Sequence, residues 1–402
     1  MLEGLRSGGT RRESASHTMR IAILMSVASP FSRDIAREVA TTGVEIHVID
    51  ATNMSETAYV KREDHHQQSD IRDFEAIVGS VQHLPYRGGP GIFAFGWRLS
   101  RILENIGVDI LLTINGGAYA AAAYLSQFRP YSVYVSGSDV LFARHAKKLI
   151  AQLALTSAKV VFANGKYLAE KARDLAPNAN VVSLYMGTDT TKFRPEAKSE
   201  SPISIVCSRG FLPIYNNEAI IRALALLPDG LPDYRFVFAA GGPGLADARA
   251  LAGELLTASQ QARIQFLGGV SREQLAQLLS RAHIYVSMSR SDGTSLSLME
   301  GMASGVFPIL SDIPANREWV DADANNVLLV PCDRPGDLAK ALTGVIQDVG
   351  LRSAAALRNR CSIVDRADLK TNMTEMVREL ARHLNKSTKL KDAAATSRVH
   401  AD

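Results

Sequence analysis

Asp292 and Glu300 flank the start of one apolar helix pattern, and their spacing is where this chain could do chemistry. An apolar run, Ile284-Tyr285-Val286, leads into the polar turn Ser291-Asp292-Gly293-Thr294. Leu296, Leu298, Met299, Met302 and Ala303 then recur at helical spacing, and Gly305 ends the pattern. Val306 to Leu310 is a second apolar run, so the order is strand, turn, helix, strand, the unit of a parallel sheet. The N–H groups around Thr294, Ser295 and Leu296 form an anion site, aided by roughly half a positive charge from the helix dipole. Asp292 precedes that turn, and Glu300 follows about two turns into the helix. A buried carboxylate needs donors, and sugar hydroxyls supply them. A ligand with phosphate at the helix start and hydroxyl-bearing rings on either side fits this layout, as a nucleotide-sugar does. An N-capping Asp with a solvated helix Glu leaves the same spacing, and from these residues alone both readings stand.

The elements that would position these residues read as two successive α/β units. Arg20 to Met25 is a buried strand, Ser26 to Ser32 a loop, Arg33 to Thr42 a helix ending at Gly43, and Val44 to Ile49 the second strand. No G-x-G-x-x-G follows the first strand, which disfavours a dinucleotide site. Ser55 to Asp73 reads as a solvated polar loop; the adjacent His65 and His66 point different ways on any regular element and make no metal pair. Arg87 to Gly91 is a turn. Phe93 to Ile106 is an amphipathic helix with Phe93, Trp97, Ile102 and Ile106 as its apolar points. Asp109 to Ile114, Tyr131 to Val135, Val160 to Ala163 and Val181 to Leu184 are further strands. Gly117 to Phe128 and Phe142 to Leu155 are helices, with Asp139 as N-cap of the second. After the charged linker Glu196 to Ser201, strands follow at Ile203 to Cys207, Tyr234 to Ala239, Arg263 to Leu267 and Val327 to Val330. Ser271 with Gln274 forms a capping box. Helices at Gly336 to Ile346 and Asp368 to Leu384 close the pattern.

The stretch from Asp292 to Asp312, ending MASGVFPILSD, resembles the donor site of glycosyltransferase family 4, retaining enzymes of the two-domain GT-B fold. Their signature is an acid, seven residues, then Glu, followed by A-M-A-x-G-x-P-V-I-x-S/T-D; Asp292 and Glu300 take the two acid positions. NREWV resembles the family's G-x-x-E-x-V, and the run from Gly187 to Pro195 its G-V-D-x-x-x-F-x-P. The resemblance implies two Rossmann-like, doubly wound parallel-sheet domains, 19–195 on the acceptor side and 202–365 on the donor side. A disordered extension would occupy 1–18, a crossing helix 366–384 and a mobile tail 385–402. It further implies that Glu300 holds ribose hydroxyls, and that Arg209 with Gly293 and the Thr294, Ser295 and Leu296 amides grips the diphosphate. Asp292 would meet the transferred sugar. Ser136-Gly137-Ser138-Asp139 resembles the H-G-x-D turn facing that sugar, with Ser136 in the histidine's place, so Gly137 and Asp139 are carried over and a histidine role is not. Tyr215 stands near an expected lysine, which leaves Asn216 to supplement Arg209. Gly241-Gly242-Pro243-Gly244 is similar to A-G-x-G-P, and Gly268-Gly269-Val270-Ser271 to the G-x-V-S/T near the base; Gly242 and Val270 join the donor set on that ground.

Composition agrees with this class. The chain has 402 residues, 46% hydrophobic and 21% charged, enough for two domains with cores. Three widely spaced cysteines, Cys207, Cys332 and Cys361, argue for reduced thiols in a cytosolic setting and against a disulfide framework or zinc site. No apolar run reaches the roughly 20 residues a bilayer requires. A formal charge of +4 permits peripheral contact with the inner, anionic face of a membrane. Asp321-Ala322-Asp323 is a literal D-x-D in an acidic loop and reads as surface. The expected function is metal-independent retaining transfer of a sugar from a nucleotide-sugar to a glycan or glycolipid hydroxyl, without a cofactor and without nucleic acid as partner. A non-catalytic nucleotide-sugar-binding subunit and a GT-B epimerase are the alternatives.

Overall fold

Two parallel sheets carry the chain. The structure, a computed structural model, describes residues 18–51, 65–78, 80–84, 91–141, 145–321 and 325–399. The first sheet comprises β1 (Arg20–Met25), β2 (Glu45–Asp50), β3 (Val81–His83), β4 (Ile110–Ile114), β5 (Tyr131–Val135), β6 (Val161–Ala163) and β7 (Val181–Ser183). Its spatial order is β3-β2-β1-β4-β5-β6-β7. The second comprises β8 (Ile203–Cys207), β9 (Tyr234–Phe238), β10 (Ile264–Phe266), β11 (Ile284–Ser287), β12 (Phe307–Ser311) and β13 (Leu328–Val330), in the order β10-β9-β8-β11-β12-β13. The pairings are parallel throughout the described residues. Helices cover both faces, which is why β4, β5 and β12 are buried along their whole length and read as unbroken apolar runs. Each order reverses beside its first strand, between β1 and β4 and between β8 and β11. Ligands of such sheets bind outside the carboxyl ends of the strands at that reversal. The expected pair of doubly wound GT-B domains is therefore present.

Several elements differ from the sequence reading. The first helix is Pro30–Ala40, not a loop to Ser32: Ser29 caps it and Pro30 takes its first turn. A helix, His65–Val78, replaces the second half of the polar stretch read as a loop. It is fixed by Asp70, which accepts from Arg33 Nε at 3.0 Å and Arg37 Nη2 at 2.5 Å, and by the fully buried Phe74. On the helix Gly91–Ile106 the expected Ile102 and Ile106 pack against the core, but Phe93 and Trp97 do not. Phe95, Leu99 and Leu103, spaced by four, face the core, while Phe93 and Trp97 are 67% and 64% exposed. Asp139 does not cap a long helix; it lies in the short helix Ser138–Leu141, and His145–Ser157 follows. Arg87 to Pro90, the extension 1–17 and residues 322–324 of the D-x-D loop lie outside the described residues.

The last helix, Leu369–Val399, continues past the expected end at Leu384. Leu369, Met373, Met376, Val377 and Leu380 are buried in one cluster with Ile21, Ile35, Val48, Phe74 and Phe162 of the first domain. The chain thus returns from the second domain to complete the core of the first. Its entry is fixed by a bridge between Thr188 and Asp368 and by Thr190 Oγ1 donating to Asp368 Oδ2 at 2.7 Å.

Candidate functional site

The carboxyl ends of β8 and β11 bring Arg209 and Asp292 together. Arg209 Nη2 donates to Asp292 Oδ2 at 2.6 Å. Arg209 Nη1 donates to Ser295 Oγ at 2.9 Å and Ser297 Oγ at 3.2 Å, and Tyr215 lies under the guanidinium at 4.0 Å. The serines are linked at 3.0 Å, and the buried Tyr285 hydroxyl donates to Ser297 Oγ at 2.7 Å. Burial disfavours the Arg209 charge, but Asp292 first and then the surrounding Tyr285, Tyr215 and Cys207 outweigh it and hold its pKa above the ordinary value. Arg209 Nε is buried with no partner. A fixed, partly desolvated cation beside a helix start is the arrangement that favours an anionic group such as a phosphate.

The helix that carries this cluster is Leu296–Ala303. Its N-cap is Ser295, which accepts from Leu298 N at 3.3 Å, so Asp292 is not the cap. Asp292 Oδ1 instead accepts from Gly293 N at 2.9 Å, closing the turn that aims its other oxygen at Arg209. Thr294 faces the first domain: its hydroxyl donates to Asn164 O at 2.7 Å. Gly293 touches the expected sugar-facing turn across the cleft. A Cβ there would lie 2.7 Å from Ser136 O and 3.2 Å from Gly137 Cα, so only glycine allows this approach. Asp139 is turned inward, accepting from Gly116 N at 2.5 Å, Ser136 N at 3.1 Å and Gly137 N at 2.7 Å. It shapes the turn that meets Gly293 and does not itself reach across.

Glu300 is 3% exposed and faces Arg272, with Oε1 3.1 Å from Arg272 Nη2. Arg272 Nη1 lies 3.3 Å from Asp34 Oδ2, on the first helix of the first domain. Burial pushes the Glu300 carboxyl up to about 7; Arg272 opposes this and Asp34 adds to it.

The remaining expected residues lie around this centre without joining it. Asn216 sits in the left-handed region at φ 53°, and its side chain is committed: Nδ2 donates to Cys332 O at 2.9 Å and Oδ1 accepts from Arg290 at 3.0 Å. Gly242, at φ 144°, lies against the Phe211 backbone, where a Cβ would come within 2.7 Å of Phe211 N. Val270 packs on the apolar cluster beneath Leu298 and Met299. The Ser271 and Gln274 capping box forms as expected.

Sequence reasoning missed Ser297, Tyr285, Arg272 and Asp34 as neighbours of this centre, and it placed Glu318 in the NREWV motif without giving it a role. Glu318 accepts from Lys166 N at 3.0 Å and Tyr167 N at 2.5 Å, so a second-domain carboxylate caps a first-domain helix. Motifs name residues within one domain, and these contacts cross between domains or run along a helix.

Residues 188–362 match the family model described as glycosyl transferases group 1. Phosphatidyl-myo-inositol mannosyltransferase of Mycolicibacterium smegmatis is 27% identical over 365 residues, 83% of this chain and 87% of that protein. GDP-mannose:cellobiosyl-diphosphopolyprenol alpha-mannosyltransferase of Xanthomonas oryzae is 30% identical over 128 residues, 28% of this chain. The chain spans only 33% of the length of that relative and of its Xanthomonas campestris counterpart. Among solved structures, a glycosyltransferase of Rickettsia africae superposes with a TM-score of 0.73 at 15% identity, covering 92% of this chain and 99% of that one. Anabaena HepE in complex with UDP and glucose superposes with a TM-score of 0.72 at 16% identity, covering 90% of this chain and 100% of that one. The chain thus has the two-domain GT-B fold, and its residues 188–362 match the glycosyl transferases group 1 model.

Proposed function

We propose that this protein transfers a sugar from a nucleoside-diphosphate-sugar to a hydroxyl acceptor, with retention of configuration. One observation carries the reading: Arg209, fixed by Asp292, Ser295, Ser297 and Tyr215, stands at the start of the helix that bears Glu300, at the sheet's reversal. In this reading the diphosphate docks on Arg209 and the first-turn amides, and Glu300 accepts from ribose hydroxyls. Asp292 positions Arg209 and borders the sugar, and the Gly137 turn closes over it from the first domain. The leaving phosphate takes the acceptor proton as the bond breaks on the same face, stabilised by Arg209. Arg209 supplies the charge that a metal would otherwise supply, so a chelator should leave turnover unchanged. The related mannosyltransferases make GDP-mannose a first donor to test, and the UDP complex of HepE makes UDP-sugars the second.

The acceptor in this reading is lipid-linked and presented at an anionic bilayer. Phe93 and Trp97, one turn apart and exposed, form an outward face with the exposed Arg98 and Arg101, and Arg101 lies 5.8 Å from the Trp97 ring. Aromatic rings beside arginines suit a membrane interface. No described helix is long and apolar enough to cross a membrane.

The deciding experiment is thermal unfolding of the purified protein with GDP, UDP, ADP, TDP and CMP, repeated with Arg209→Ala. A rise of a few degrees with one diphosphate, lost in the variant, supports the site. No rise with any nucleotide would remove the reading. Ser136, where the family has histidine, favours one second reading, a nucleotide-sugar-binding subunit without turnover. That protein would show the same thermal shift yet release no nucleotide when sugar donor and acceptors are supplied.

A further inference from the structure

Arg272 is placed unlike any other cation in the described structure. It occupies the first turn of the helix Arg272–Arg281, where the helix dipole disfavours positive charge. Its guanidinium lies over the buried Phe193 ring at 5.3 Å, and the two arms of its fork reach carboxylates of different domains. One arm faces Glu300 at 3.1 Å, the other Asp34 of the first domain at 3.3 Å. Asp34 Oδ2 and Glu300 Oε1 are both buried and make no hydrogen bond, so ion pairing with Arg272 is what each has. A small polar cavity of about 130 Å³ adjoins it, lined by Asp34, Arg37, Glu38, Asp189, Lys192 and Leu369, where the two domains, their junction and the last helix converge.

We infer that Arg272 is the positioning residue of the site: it holds the Glu300 carboxylate aimed and ionised for ligand hydroxyls, and Asp34, sharing the same cation, restrains that ionisation when the first domain is closed onto the second. The inference rests on the proposed donor site and adds a residue and a coupling to it. A lone buried carboxylate would take up a proton, and a protonated carboxyl accepts poorly from a vicinal diol. Arg272 opposes this, and Asp34 works against Arg272, since it competes for the same cation and repels Glu300. The charged groups facing Glu300 are Arg272, Asp34, Arg209 and Lys192, and burial with these sets its titration near neutrality. Asp34 is in turn faced by Arg37, Arg33 and Asp70, and Arg272 also feels Asp189. Removing Arg272 and removing Asp34 therefore act on Glu300 in opposite directions, a signature that loss of packing would not give.

The test has two arms. In the ligand-free full chain, unfolding free energy is measured against pH for wild type, Arg272→Met, Arg272→Lys and Asp34→Asn, each with and without Glu300→Gln; the pairwise differences give the Glu300 titration midpoint. The midpoint should rise in Arg272→Met, fall in Asp34→Asn and lie between in Arg272→Lys. Equal midpoints in all four would overturn the coupling. In the second arm, the nucleoside diphosphate that stabilises wild type is titrated at several pH values. Affinity should increase as pH rises through the Glu300 midpoint, with Arg272→Met about tenfold weaker near neutrality for each unit of midpoint shift and recovering at high pH. Binding that ignores both pH and Arg272→Met would refute the positioning role while leaving the donor site intact. Shifted midpoints in a protein that binds no nucleotide would sink the donor site and leave the ion-pair coupling standing.

Discussion

At the scale of single residues, Glu300 couples function to stability with a definite sign. Its carboxyl titrates at about 7 in the folded chain against 4.5 when exposed, chiefly because it is buried. The folded protein therefore binds a proton that the unfolded chain has released, and stability falls as pH rises between those two values. Glu300→Gln lacks this dependence. Its stability relative to wild type should climb through that window and level off above it, as chemical denaturation at about pH 4 and about pH 8 would show. In the proposed reading the same substitution should weaken nucleotide binding. Arg209→Ala should lower kcat on the order of a hundredfold, the scale for loss of a fixed group that stabilises developing charge, with a smaller effect on donor KM. The spacing of Asp292 and Glu300 was legible because both lie within one βαβ unit, whereas Arg209, 83 residues before Asp292, was named only through the family resemblance. Arg272 left one mark in the sequence, a cation at the first helical position after a capping serine. That mark reads as an exception to helix electrostatics unless the partner domain is in view.

At the scale of elements, the sheets were legible and one helix face was not. Strands of five or six apolar residues have a single way to be buried in a parallel sheet. The helix Gly91–Ile106 has two apolar stripes, and sequence periodicity alone does not choose between Phe93 with Trp97 and Phe95 with Leu99 and Leu103. The core took the stripe of Phe95, Leu99 and Leu103, which leaves Phe93 and Trp97 outward. Replacing Phe93 and Trp97 together with Ser should thus leave the unfolding temperature within about a degree or two, as exposed positions do. Sedimentation with vesicles containing anionic lipid should drop several-fold; unchanged sedimentation would remove the membrane face. Gly187 gives the opposite case. It sits at φ 84°, and a Cβ would come within 2.4 Å of Ala367 O and 2.9 Å of Leu369 N. Gly187→Ala must displace the backbone where the last helix begins, and should cost several degrees in Tm and release that helix to protease.

At the scale of the molecule, the contacts between the domains are short and polar: Thr294 with Asn164, Glu318 with the helix Lys166–Leu175, Arg272 with Asp34, and the Gly293 and Gly137 turns. Polar contacts of this kind can exchange for ligand or water at little net cost, which suits a cleft that opens and closes around a substrate. Apolar contact comes from Tyr185 and Phe193, which are buried in the second-domain cluster, and from the last helix, which seals the core of the first domain with Leu369, Met373, Met376 and Leu380. A ribosome making this chain therefore emits the first sheet long before the residues that finish it. The second domain can complete its own core while Ile21, Ile35 and Phe162 still await partners encoded near the end of the message. The half of the protein made first should thus be the half whose core is completed last, and a chain that stops short of Leu369 should expose that apolar surface to chaperones and proteases while the second domain keeps its own core.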